Sequence, residues 1–186
     1  MALSQTQALL ARLFTDARLR RAFFQAPQET ARGFGLSDSE AAALAALDRR
    51  EVEDFARSLL GKRALDARKA LPLTAKALGP AFDALLFEAI EGPPAPERHR
   101  ADAAALATLL AERGASPAWI VDLARYEMAF VAAARPGALL LLRRFSFPVD
   151  EIAGALVAGT PVEARPRART GLWLRAPWGR LHWRLL

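Results

Sequence analysis

Few side chains in this sequence are equipped for chemistry, and they do not cluster. The two histidines sit in separate contexts, His99 just after a proline-rich loop and His182 in the closing stretch RLHWRLL. There is no cysteine, hence no thiolate ligand or thiol nucleophile. No HExxH or HxH spacing supplies a histidine pair for zinc or iron. The phosphate-cradling GxxxxGK[ST] and GxGxxG loops are missing, as is a Gly-x-Ser-x-Gly elbow. Carboxylates fall mainly at helix starts. Glu127, in ARYEMAF on an otherwise apolar helix, stands out and reads as the structural partner of an arginine or a helix end, ahead of an acid/base role.

What remains is the chemistry of arginine. From Arg135 to Leu186 there are nine arginines (135, 143, 144, 165, 167, 169, 175, 180, 184) against Asp150, Glu151 and Glu163. That excess equals the formal net charge of the whole chain, +6, so residues 1–134 balance. The preference for Arg over Lys throughout is what GC-rich coding produces; the clustering is not. Guanidinium groups grip carboxylates and phosphates through charge-assisted hydrogen bonds. The last fifty-two residues therefore read as a binding surface for something acidic or extended.

The elements that must carry this surface are of two kinds. Over residues 1–134, cap signals and 3.6-residue periodicity predict a string of short helices. Ser4/Gln7, Ser37/Glu40 and Asp48/Glu51 have capping-box spacing, and Asp16 can cap a helix bearing Leu19, Phe23 and Phe24. Pro27, Gly33–Leu36, Gly61, Leu71-Pro72 and Gly79-Pro80 punctuate the run, and the loop Gly92–Pro96 precedes a helix at about 97–113. Ser116-Pro117 predicts a capped start for the helix carrying Trp119, Ile120, Leu123, Phe130 and Val131. Pro136-Gly137 breaks it. Residues 138–149 then have the length and aliphatic content of a buried strand, followed by a short helix closed by Gly159. Pro161–Arg167, Gly171–Ala176 and Arg180–Leu186 are strand candidates, the last two around the turn Pro177-Trp178-Gly179. The expectation is a mainly α chain with a small C-terminal α+β part: a helical body at 1–134 and a basic β-rich module of three or four strands at 135–186, its apolar face covered by the body.

An apolar fraction of 53% in 186 residues supports a folded core. No uncharged apolar run reaches the length of a membrane span, and Arg12 and Asp16 interrupt the start where a signal peptide needs an unbroken apolar stretch. The expected location is the cytoplasm.

Four segments, taken in order, resemble a known family: LPLTAKALGPAFDALLFE (71–88), SPAWIVDLARYEMAFVAA (116–133), LLLLRRFSFPVDEIAGAL (139–156) and GLWLRAPWGRLHWRLL (171–186). The set is similar to the helical partner proteins of multinuclear non-heme iron oxidases, often labelled "putative DNA-binding domain" proteins. Residues 1–60, with FGLSDSEAAAL, look like the extra helical region of a bacterial branch. The resemblance implies a non-catalytic adaptor without a cofactor of its own. Its partner would be a separate TIM-barrel iron enzyme that modifies a ribosomally made precursor peptide. The adaptor would bind that precursor's leader through a small sheet resembling a peptide-recognition element.

On that reading an extended leader adds a strand to a sheet edge in 138–186. Arg143, Arg144, Arg167, Arg169 and Arg175 hold its acidic residues, and Phe145, Phe147 and Trp173 complete the candidate peptide-binding set. The alternative is nucleic-acid binding by a winged module, with helix 150–158 reading bases and 171–186 as the wing. That helix carries two acids and no base, where groove reading needs Arg, Lys, Asn or Gln. A small enzyme with an unrecognised site is the weakest of the three readings.

Overall fold

The computed structural model describes residues 2–97, 99–135, 137, 139–175 and 179–186. Among them the order is α1 (Ala2–Thr15), α2 (Ala17–Gln25), α3 (Pro27–Gly33), α4 (Asp38–Ala45), α5 (Arg49–Ala70), α6 (Pro72–Leu78), α7 (Ala81–Ala89), α8 (His99–Glu112), α9 (Trp119–Ala133), β1 (Leu140–Phe145), α10 (Val149–Ala158), β2 (Arg169–Arg175) and β3 (Leu181–Leu185). The chain is mainly α, with one small antiparallel sheet near its C-terminus.

Several boundaries follow their local chemistry. Asp16 caps α2 by accepting from the amides of Arg18 and Leu19. Ser37 and Glu40 form a complete capping box at α4, and Asp48 caps α5 through the amide of Glu51. Pro27 and Pro72 open α3 and α6, where a missing N–H costs nothing. Gly159 closes α10 in the left-handed conformation, φ 72°.

Other expectations give way. Ser4 lies inside α1, which begins at Ala2. Gly61 does not interrupt α5, because flanking turns packed on two layers carry the helix through it. The Ser116-Pro117 bond is cis, and α9 starts only at Trp119, with Ala118 as an N-cap that makes no side-chain bond. Residues 161–167 contain no strand. Pro136, and Pro177 with Trp178, lie outside the described residues, so the break and the turn assigned to them are not described.

Three apolar clusters share two helices. Leu9, Leu13, Phe23, Leu36 and Leu44 pack with Val52 at the start of α5. The rest of α5 joins α6–α9 through Ala64, Leu71, Phe82, Leu86, Leu106, Leu110 and Ile120. The third cluster sets Leu123, Tyr126 and Ala129 of α9 against Phe145, Val149, Ile152, Leu156 and Trp173. Ile120 and Ala124 thus serve one core while Leu123, Tyr126 and Ala133 serve another, which is why α9 is apolar on most of its circumference. Each large side chain so buried contributes about 1.5–3 kcal/mol. The C-terminal module shares its core with the body.

Polar ties cross the same layers. Arg63 of α5 donates to both carboxylate oxygens of Asp102 on α8, at 2.9 and 2.7 Å, and to the Gly92 carbonyl at 2.9 Å. Lys76 of α6 donates to the Leu156 carbonyl at the end of α10 at 2.5 Å.

Candidate functional site

Two carboxylates on α9 hold the C-terminal half in place. Glu127 accepts from the amides of Leu73 and Thr74 at 2.7 and 2.9 Å and from the Thr74 hydroxyl at 2.6 Å. Those amides belong to the first turn of α6, which has no side-chain cap of its own. Glu127 is therefore the cap of α6, supplied from another helix. Burial pushes its carboxyl above the ordinary range, while the Thr74 hydroxyl and the two amides pull the other way by less. Five residues earlier, buried Asp122 accepts from the amides of Ser146 and Phe147 at 2.6 and 3.1 Å and from Arg125 at 3.0 Å. It fixes the bend between β1 and α10.

The sheet runs β1-β2-β3, both pairs antiparallel. Register places Leu141, Trp173 and Trp183 in one cross-strand row, with Arg143, Gly171 and Leu185 in the next. This face lies on α9, where the rings of Tyr126 and Phe130 meet those of Trp173 and Trp183 at 5.3–6.2 Å. A Cβ on Gly171 would sit 2.4 Å from the Trp173 ring, so only glycine lets the indole lie along its own strand. The opposite face carries Leu140, Leu142 and Arg144, Leu172 and Leu174, and His182 and Arg184.

This arrangement corrects the expectation of a buried strand. In β1, Leu140 and Leu142 are 59% and 55% exposed. A three-stranded sheet resting on one helical layer has only one covered face, and strand alternation sends every second aliphatic residue to the other.

The candidate peptide-binding residues separate in the same way. Phe145 and Trp173 are each 1% exposed; they form the core under the sheet and offer a ligand no surface. The Trp173 Nε1–H finds no acceptor among the described residues. Phe147 is half-buried, with its backbone held by Asp122. Arg167 is ion-paired with Glu151 on the first turn of α10, and Arg169 lies 3.4 Å from Glu151 and 3.6 Å from Asp150. Those two arginines are engaged internally. Arg175 is half-buried, with no partner for its Nε among the described residues. Arg143 and Arg144 are exposed but point to opposite faces, so the pair cannot act as one unit. Among the described residues no ion pair involves Arg143, Arg144, Arg165, Arg175, Arg180 or Arg184.

A groove of about 560 Å³ opens beside α9, its wall including Lys69, Leu73, Arg100, Tyr126, Phe130 and Val131. Burial, then the nearby charges of Asp150 and Glu127, push the Tyr126 phenol up to about 12, so it stays protonated and can donate. Sequence reasoning missed this groove. Its residues come from four helices, and the aromatic pair in ARYEMAF is indistinguishable from core by spacing alone. Among the described residues no helix is long and apolar enough to cross a membrane, and no three His, Asp or Glu side chains converge as metal ligands.

Compared with protein-family models and with curated proteins, the chain matches neither.

Proposed function

We propose that the chain is a non-catalytic adaptor that captures an acidic, extended peptide on its C-terminal sheet and presents it to a partner enzyme. The observation carrying this reading is a three-stranded sheet whose outer strands each have, among the described residues, one unpaired edge, in a module where six of the described arginines make no ion pair with another described residue. An open edge offers N–H and C=O groups that bind backbone with little regard to sequence. Surplus guanidinium groups select for carboxylates and speed encounter. The resemblance at residues 71–88, 116–133, 139–156 and 171–186 supplies the partner class, a TIM-barrel multinuclear iron oxidase acting on a ribosomal precursor, with the iron in that enzyme and none needed here.

Nucleic-acid binding is the weaker reading. The exposed side of α10 carries Glu151, Gly154, Val157 and Ala158, with no Arg, Lys, Asn or Gln to read guanine or adenine edges or to offset phosphate repulsion. Asp150 and Glu151 are moreover occupied by Arg167 and Arg169.

The test is reconstitution with a multinuclear iron oxidase and its precursor peptide, sought among the reading frames neighbouring this one. A stable one-to-one complex is expected, with the oxidase alone losing turnover of full-length precursor. Full turnover without this chain would refute the adaptor reading.

A further inference from the structure

The groove beside α9 and the free edge of β3 are neighbours. Trp183 of β3 is 49% exposed, and its ring stands 5.3 Å from Phe130 and 6.2 Å from Tyr126. Both partners also line the groove. A strand paired with the outer edge of β3 would run beside Trp183 and so within reach of Phe130 and the groove, whereas one on β1 would lie along the opposite edge of the sheet.

The wall specifies an occupant. Tyr126, Phe130, Leu73 and Val131 give an apolar, partly aromatic lining, and a volume of about 560 Å³ accommodates a large side chain. Two cations stand among them. Lys69 is taken by Asp66 at 2.7 Å. Arg100, half-buried, makes no ion pair among the described residues. Glu127 also lines the groove, but its oxygens are committed to the first turn of α6. The groove therefore combines an apolar bed with one unneutralised guanidinium.

We propose that this groove is the anchor subsite for a peptide strand added to β3, taking an aromatic side chain on its apolar wall and a carboxylate on Arg100. This rests on the reading that an extended peptide pairs with the sheet. Because alternate residues of a strand share a face, the recognised pattern is an aromatic and an acidic residue two positions apart. The bed holds the ring, and Arg100 makes a charge-assisted bond in a partly desolvated setting where such bonds are strongest.

The experiment uses the full chain, followed by ¹⁵N–¹H spectra, with two probes. The first is 3-phenylpropionate, which needs no sheet edge, compared with its carboxamide. It should shift the amides of Leu73, Phe130 and Val131, with the acid binding at least about fivefold more tightly than the amide. Arg100→Gln should erase that preference without changing Tm, and Val131→Trp should block both compounds by filling the groove. Equal binding of acid and amide, or shifts elsewhere only, would overturn the assignment. The second probe is the hexapeptide acetyl-Thr-Phe-Thr-Glu-Thr-Val-amide, which should shift groove residues and β3 amides together. Shifts on β3 alone would overturn the anchor and leave strand pairing standing. Shifts in the groove alone would overturn strand pairing and leave a site for aromatic carboxylates.

Discussion

Replacing Glu127 with alanine tests whether α9 organises the C-terminal half as described. The carboxylate satisfies two first-turn amides of α6 and the Thr74 hydroxyl. Thr74 is fully buried, so its amide has no route to solvent, whereas Leu73 borders the groove, where water can reach. The hydroxyl can turn toward another acceptor. One amide left wholly unsatisfied and one partly so, at about 1–3 kcal/mol for each buried donor, predicts a loss of about 2–4 kcal/mol. In a chain of this length that is a fall in Tm of roughly 5–15 °C. Glu127→Gln keeps one acceptor oxygen but turns an NH2 toward an N–H, so it should fall between wild type and alanine. The pH dependence has a definite sign. Burial raises the Glu127 carboxyl above its ordinary 4.5, so between that value and its raised one the folded state binds more protons than the unfolded state. Stability from this group is fullest below 4.5 and declines as pH rises through the raised value. The advantage of wild type over Glu127→Gln should therefore shrink from mildly acid to neutral pH. Urea unfolding at several pH values measures it. A Glu127→Ala protein within about 0.5 kcal/mol of wild type, a change typical of neutral surface sites, would refute the capping role.

Other outcomes follow from single features. Gly171→Ala should cost about 2 kcal/mol or more by forcing the buried Trp173 ring off its strand, seen as a weakened near-ultraviolet circular dichroism signal; an unchanged spectrum and Tm would contradict the contact. Arg63→Ala leaves Asp102 buried without its partner and should destabilise by about 3–5 kcal/mol in urea unfolding. Tyr126 is the only tyrosine, so ultraviolet titration of the native chain reports it alone and should show phenolate forming near 12, not 10. With an acidic leader peptide, Arg184→Glu should weaken binding several-fold at low salt and less at high salt, and Arg143→Glu should weaken it less because it lies on the opposite edge strand. Fluorescence anisotropy distinguishes them, and equal effects would remove the preference for the β3 edge.

Much of the architecture was legible in local chemistry. Asp16, Ser37 and Asp48 mark helix starts because a side-chain oxygen beside three free amides is favourable wherever the chain goes next. Alternation in GLWLR and RLHWRL showed two-faced strands, and the concentration of arginine marked the C-terminal part as the basic one. Glu127 stood out as an acid on an apolar helix, but which helix end it serves depends on the approach of Leu73 and Thr74 from 53–54 positions away. The run ALLLLRRF contains no polar alternation, so nothing within it reveals that one face of β1 is uncovered; that depends on how many layers the chain can place over a three-stranded sheet. Arg167 and Arg169 look as free as Arg143 and Arg144 along the chain, yet the start of α10 takes the first two and leaves the others. The groove beside α9 exists only because four helices end around one aromatic pair. Short-range bonding preferences are properties of neighbouring residues and can be read in order, whereas burial, ion pairing and cavities depend on which distant surfaces meet, and only the tertiary structure decided that.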